Sequence, residues 1–170
     1  MSAYGLSPAL QATTPARPIF PAMTQHTMLQ TLQAVNQTAS FNRWAGFEVV
    51  QAAAGEAEIR MAWREEDMGQ YAGYLHAGLI GAMLDTACGY AAATVSGRVL
   101  ASHFSVNCLA PAVGRSFVAR GRVVKAGRKQ VFTSAELYAE QQGAAPLLVA
   151  TGNAILVPVE APSGPHASGS

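Results

Sequence analysis

The feature that most constrains this chain is the segment from Gln70 to Thr94, QYAGYLHAGLIGAMLDTACGYAAAT. Between Ala77 and Val95 the only charged side chain is Asp85. Such a run needs apolar cover on most sides. A lone carboxylate inside it must find partners or perform chemistry, because an unpaired buried charge is costly. The run is about long enough to cross a bilayer. Asp85 near its middle, with Gly78, Gly81 and Gly89, indicates instead a helix buried in a soluble protein, and no membrane partner is expected.

The remaining composition suits that reading. The 170 residues form one composition regime, which points to a single domain with flexible ends. Half of them are apolar and 12% are charged, enough to build a sizeable core. A net charge of +1 without any Lys/Arg run gives no footprint for nucleic acid. Cys88 and Cys108 lie in apolar segments without metal-ligand spacing, so reduced thiols are expected and neither zinc nor a disulfide framework. The N-terminal segment shows no apolar stretch behind a basic start, so a cytoplasmic location is expected.

Residues 1–26 read as a flexible extension, 27–159 as the domain, and 160–170 as a disordered Pro/Gly/Ser tail. Met28, Leu29, Leu32 and Val35 recur at helical spacing and predict a short amphipathic helix ending near Ser40. Phe47–Val50 and Ala57–Met61 alternate as strands around a turn at Gly55. Arg64 to Gly73 reads as a loop, and the apolar helix follows His76 and ends near Gly97. Four strand candidates come next, Leu100–Leu109, Phe117–Lys125, Gln130–Glu140 and Leu147–Val157, with breaks short enough for hairpins or meanders. The order predicts an α+β fold in which an antiparallel sheet wraps the long helix. One curved sheet cannot enclose an almost uncharged helix, so a second subunit is expected to supply the rest of its cover.

The spacing also suggests chemistry. If the helix starts near Ala77, its first amides lack intrahelical acceptors and sit at the positive end of the helix dipole. Such donors polarise a carbonyl and hold the oxyanion formed when it is attacked. Small residues at Ala77 and Gly78 permit close approach of a ligand to the backbone. Gln70 in the preceding loop supplies a second donor. Asp85 lies roughly 12 Å farther along the axis, at about 1.5 Å per residue. One small acyl group does not reach both. Two such helices packed antiparallel about a two-fold axis would bring Asp85 of one chain to Ala77 of the other, which predicts paired sites at a homodimer interface.

These residues resemble the signature of the hotdog-fold thioesterases, in particular their phenylacetate-degradation (PaaI-like) branch. That branch carries Asn or Gln, a short loop, His-Gly-Gly, and an acidic residue on the central helix. The resemblance covers roughly Thr27 to Val159. It includes Gly46–Val49, Asp85-Thr86-Ala87, Ala110-Pro111-Ala112 and the segment Val123–Lys129. It implies a hotdog fold and an acyl-coenzyme A thioesterase, hydrolysing an aryl- or medium-chain acyl ester as a homodimer or a dimer of dimers. Gln70 and the Ala77 amide would bind the thioester carbonyl. Asp85 from the facing subunit would be the catalytic carboxylate, as general base or as nucleophile. His76 would shape the loop, with His76, Gly78 and His103 near the substrate and Arg128 and Lys129 toward the coenzyme A phosphates. No metal or redox cofactor is expected, coenzyme A being part of the substrate. One departure is His76-Ala77-Gly78 in place of His-Gly-Gly: alanine keeps the N–H and adds a methyl. Another is the Ser or Thr that some relatives carry on the next strand, where this chain has Ala101 and Ser102.

Blander readings stand beside these. Asp85 could be a structural carboxylate, Gln70 a solvated loop residue, and Arg128 and Lys129 solvated turn charges. His103 reads first as a satisfied core histidine, and Phe41, Trp44 and Phe47 as core packing ahead of an acyl pocket. Met83, Leu84 and Tyr90 are open between the same two roles, and Cys88 has no evident activating base. Two other functions stay in view: an enoyl-thioester dehydratase or hydratase of the same fold, and a non-catalytic acyl-thioester binder. His76 and Asp85 are nine residues apart and out of phase on one helix, which disfavours the cis pair a dehydratase uses.

Overall fold

The computed structural model describes residues 24–160. Most of the expected N-terminal extension (1–23) and nearly all of the expected tail (161–170) lie outside the described residues. Helix α1 (Gln25–Thr38) begins two residues before the expected domain start, because the Thr24 hydroxyl caps it by accepting from the Thr27 N–H at 3.2 Å. It stops at Ala39, and a second short helix α2 (Ser40–Ala45) follows where only a helix end was expected. Strands β1 (Glu48–Ala53) and β2 (Glu56–Ala62) form the expected hairpin about Gly55. The expected loop from Arg64 contains one further helical turn, α3 (Glu65–Met68), anchored by the buried Met68. Then come α4 (Ala77–Ser96), β3 (Val99–Cys108), β4 (Ser116–Ala126), β5 (Val131–Glu140) and β6 (Leu147–Pro158).

The strands make one six-stranded sheet in the order β1-β2-β4-β5-β6-β3, with every neighbouring pair antiparallel. The β4–β5 and β5–β6 connections are hairpins, as expected. The Pro111–Gly114 break is not: β3 lies at the far edge beside β6, and β4 crosses back to pair with β2. The reason is α4, which carries the chain from β2 across the sheet before β3 begins. Strands β4, β5 and β6 then fill the space beneath it. Helix α4 packs against all six strands and buries Leu79, Ile80, Met83, Leu84, Ala87 and Ala91. Its length and apolarity would suffice to cross a membrane; here they serve to pack the sheet's inner face.

A row of small residues sets how closely the helix lies. Ala57, Gly121, Ala135 and Gly152 are paired in register across β2, β4, β5 and β6. All four are buried. A Cβ at Gly121 would overlap the Ala87 carbonyl and come within 3.0 Å of the Cys88 nitrogen. At Gly152 it would meet the Leu84 side chain at 3.3 Å. The helix backbone thus rests on the sheet backbone. Larger side chains on either side, such as Ile59, Phe117 and Leu137, close the flanks of the contact. The opposite face of the sheet carries charge, including the Glu58–Arg120 (2.8 Å) and Arg60–Glu140 (2.9 Å) pairs. Exposed pairs of this kind add little stability.

Gly121→Ala is expected to be strongly destabilising, because backbone must yield to backbone. Overpacking of this kind costs about 3 kcal/mol, which lowers Tm by roughly 5–10 °C in a chain of this size. Thermal unfolding followed by circular dichroism checks it, and an unchanged Tm would mean that the helix is free to move off the sheet.

Candidate active site

The segment between α3 and α4 is a closed loop. Its base is a bridge between Gly69 and Leu75, with the His76 N–H bonded to the Met68 carbonyl at 2.9 Å. Inside it the Gln70 N–H donates to the Tyr74 carbonyl (2.8 Å), and the Gly73 N–H donates to the Gln70 carbonyl (2.9 Å). The Leu75 N–H ties the loop to the Ala112 carbonyl at 3.0 Å. The Gln70 side chain takes part as well. Its Oε1 accepts from the Ala72 N–H at 2.8 Å, which fixes the amide plane and leaves the Nε2 donors without a partner among the described residues.

His76 is the N-cap of α4. Its backbone is extended (φ −62°, ψ 135°), and its Nδ1 accepts from the Gly78 N–H at 2.9 Å. The His76 carbonyl takes the Leu79 and Ile80 N–H groups at 2.9 and 3.2 Å. A Cβ at position 78 would stand 3.0 Å from the imidazole nitrogen, so the cap needs glycine there. These bonds use up the first-turn donors except one. The Ala77 N–H has no partner among the described residues, and it sits where the helix dipole is positive. Gln70 and Ala77 line one open groove of about 580 Å³, with Tyr74, His76, Ile80 and Leu109 around them. Of the expected site residues, the structure brings Gln70, His76 and Ala77 together. Gly78 stands beside them with its N–H committed to the cap.

Asp85 is elsewhere. It lines a narrow slot between α4, β3 and β6 with Cys88, Phe104, Ser105 and Asn153. Its Oδ1 is buried and has no hydrogen-bond partner among the described residues. Burial raises its pKa above the ordinary carboxylate value. The same burial pushes the Cys88 thiol to about 11, further raised by Asp85 and opposed by its bond to Thr133, so this cysteine is a poor nucleophile. His76 and Asp85 line different cavities, and His76 Nδ1 is occupied. Within one chain that arrangement does not form the His–acid pair of a dehydratase.

The other expected site residues are more scattered. His103 is exposed on the edge strand β3, beside a bulge, rather than in the core. The bulge between Ala101 and His103 turns it to the outer face of the sheet, away from both cavities. Arg128 and Lys129 are exposed at the β4–β5 turn and line neither cavity. Phe47 is buried, but Phe41 and Trp44 are about half exposed, Phe41 standing edge-on to Phe47 and tilted against Trp44, so the expectation of core packing holds for one of the three. Met83 and Leu84 are core residues. Tyr90 binds Asn36 (2.9 Å) and Asn42 (3.0 Å) through its hydroxyl and ties α1 and α2 to α4. Tyr74 and Leu109, which line the groove, were missed from sequence; the aromatic pair Tyr71 and Tyr74 flanking the loop was the available signal.

With this geometry in view, the comparisons with known proteins are direct. A model of the thioesterase superfamily matches residues 72–145, a span that contains Ala77 and Asp85 and starts just after Gln70. The crystal structure of a thioesterase family protein from Silicibacter pomeroyi is 32% identical, covers 76% of this chain and 96% of its own, and superposes with a TM-score of 0.72. The chain belongs to the thioesterase superfamily. It is therefore a thioester hydrolase, acting on acyl thioesters. This thioesterase shares its fold with two more distant structures. PaaI of Escherichia coli, from the phenylacetic acid degradation operon, is 20% identical, with coverage of 80% and 96% and a TM-score of 0.72. Zebrafish thioesterase superfamily member 2 is 23% identical, with coverage of 81% and 100% and a TM-score of 0.68. The antiparallel sheet and the helix packed on it are the hotdog fold expected from the sequence. No curated protein sequence matches the chain.

The buried carboxylate makes a thermodynamic prediction. The folded pKa of Asp85 lies above its unfolded value, so the native state binds this proton more tightly. Its contribution to stability is full below the unfolded pKa, about 4, and is lost as pH rises through the folded value. Asp85→Asn is thus expected to melt at a higher temperature than the native thioesterase at pH 8, with the gap closing toward pH 4. Parallel melting curves across that range check it, and a variant less stable at pH 8 would mean that the carboxylate has partners in solution.

Proposed function

We propose that this thioesterase hydrolyses aryl- or medium-chain acyl-coenzyme A esters at sites shared between two copies of the chain. Gln70 Nε2 and the Ala77 N–H polarise the thioester carbonyl, and Asp85 of the partner subunit completes each site. The observation that carries this reading is Asp85 itself, a carboxylate on a 20-residue helix with no other charge, its buried oxygen left without a partner. A neutral residue such as asparagine would remove that cost, and a chemical role accounts for a carboxylate at this position.

The pairing of subunits rests on two further observations. The carbonyl donors and the carboxylate occupy separate cavities of one chain, about 12 Å apart along the helix. Among the described residues strand β3 is a ten-residue edge paired only with β6, exposing Leu100 and Phe104, with the exposed Leu109 just beyond its end. Edges of this kind are templates for pairing with another chain. A two-fold axis beside β3 sets the α4 helices antiparallel and brings each Asp85 slot toward the other chain's groove.

In the shared site the acyl carbonyl lies against Gln70 and Ala77. Water attacks the acyl carbon, Asp85 takes its proton, and the negative charge that develops on the carbonyl oxygen is held by the two N–H donors. Collapse of the intermediate breaks the C–S bond. The thiolate of coenzyme A leaves and regains the proton from Asp85. The raised basicity of a half-buried carboxylate suits Asp85 to take that proton. Water is the second substrate, and the chemistry calls for no metal or redox cofactor. Arg128 and Lys129 supply positive charge for the coenzyme A phosphates at the surface.

The geometry permits a clean removal of the oxyanion donor. Ala77 occupies the first helical position, where proline is tolerated, and His76 already has the extended backbone that a following proline requires. Ala77→Pro is expected to fold normally and to lose about 10²- to 10³-fold in kcat. Asp85→Asn is expected to lose about 10²- to 10⁴-fold while still binding substrate. Thiol release from a panel of acyl-coenzyme A esters measures both. Native turnover by either folded variant would refute its residue's assigned role.

A further inference from the structure

The Arg64 side chain is the one guanidinium among the described residues whose hydrogen bonds reach both backbone carbonyls and a carboxylate, joining the end of α2 to α3. Its Nη2 donates to the Trp44 carbonyl at 2.6 Å and its Nη1 to the Ala45 carbonyl at 3.1 Å. Those are the last carbonyls of α2, which have no intrahelical partner. Its Nε donates to Asp67 Oδ2 at 2.9 Å, within α3. The Arg64 carbonyl in turn accepts from the Asp67 and Met68 N–H groups, at 3.3 and 3.1 Å, and starts that helical turn. Gly46, at φ +72°, is the residue that keeps this fork clear: a Cβ there would lie 3.1 Å from Nη1.

From α3 the connection to the groove is short and made of hydrogen bonds. Met68 is buried, and its carbonyl receives the His76 N–H at the start of α4. Gly69 bridges to Leu75, and Gln70 follows directly, its amide plane set by the Ala72 N–H. The loop is otherwise exposed; Tyr71 at its tip is fully solvated. Its orientation therefore depends on how its base is held.

We infer that Arg64 is a positioning residue for Gln70, fixing α3 against the end of α2 so that the Gln70 amide is aimed at the substrate carbonyl. This inference rests on the proposed role of Gln70. A planar fork with two parallel donors sets both distance and angle, which a single ammonium does not. Loss of the fork keeps the Leu75–Ala112 bond and the buried Met68, but it frees the α3 end of the loop to shift at Arg64. Displacing a carbonyl donor by about 1 Å costs up to about 10²-fold in rate.

The test is a double-mutant cycle of Arg64→Ala and Gln70→Ala, read as kcat and KM for acyl-coenzyme A hydrolysis, with amide hydrogen exchange at Ala72. Arg64→Ala is expected to lower kcat roughly 10- to 100-fold with KM changed far less, and to speed exchange at Ala72. In the Gln70→Ala background it is expected to cost nothing further. Should Arg64→Ala fail to fold, Arg64→Lys, which keeps the charge without the fork, is expected to give the same pattern. Full kcat in the Arg64 variant, or an equal loss with and without Gln70, would overturn the inference. Native turnover by Gln70→Ala alone would instead overturn the role of Gln70, and with it anything acting through that residue.

Discussion

The close approach of α4 to the sheet is the contact on which the rest of the structure depends. Ala57, Gly121, Ala135 and Gly152 present almost no side chain to the helix, so the Ala87–Cys88 backbone lies on theirs. Such a contact fixes the helix in depth, and the flanking Ile59, Phe117 and Leu137 fix it laterally. Densely packed interiors yield little. Both ends of the chemistry inherit that rigidity: the N-terminus of α4 is held at the Gln70 loop, and Asp85 is held at the seam of β3 and β6.

The same placement explains the electrostatics. A helix pressed onto backbone has no room for solvated charge beneath it, and the slot beside Asp85 offers its Oδ1 no donor. The carboxylate is consequently more basic than an exposed one. At the other end, His76 satisfies the Gly78 N–H and its own carbonyl takes the next two, which leaves the Ala77 N–H as the free donor. In the proposed mechanism, capping and oxyanion binding fall to adjacent residues of one turn. The alanine that departs from His-Gly-Gly keeps the N–H which that proposal uses, on the backbone of a first helical residue.

Much of this was legible in the sequence because it rests on local rules. The apolar run between His76 and Gly97 gave both helix ends to within a residue, and the strands after it were found to within a residue or two. Strand order was not legible. The Pro111–Gly114 break has the length of a hairpin, and only the volume of α4 forces β4 to cross to β2. Short α3 escaped notice because four residues carry no period; tertiary bonds from Arg64 and the burial of Met68 hold it. His103 misled because it sits among apolar residues, and on an edge strand with a bulge it is exposed, as are its neighbours Leu100 and Phe104. For the candidate site, Gln70, His76 and Ala77 were recoverable from spacing, whereas Tyr74 and Leu109 come together only through the fold.

The central claim is that each site takes its carbonyl donors from one chain and its carboxylate from another. Subunit mixing tests it most directly. Ala77→Pro and Asp85→Asn, each inactive alone, are unfolded together and refolded in equal amounts. Random pairing makes half of the dimers hybrids, and each hybrid has one intact site of two, so the account predicts about one quarter of native hydrolysis. No recovery of activity, with hybrid dimers shown to have formed by mass spectrometry, would contradict it.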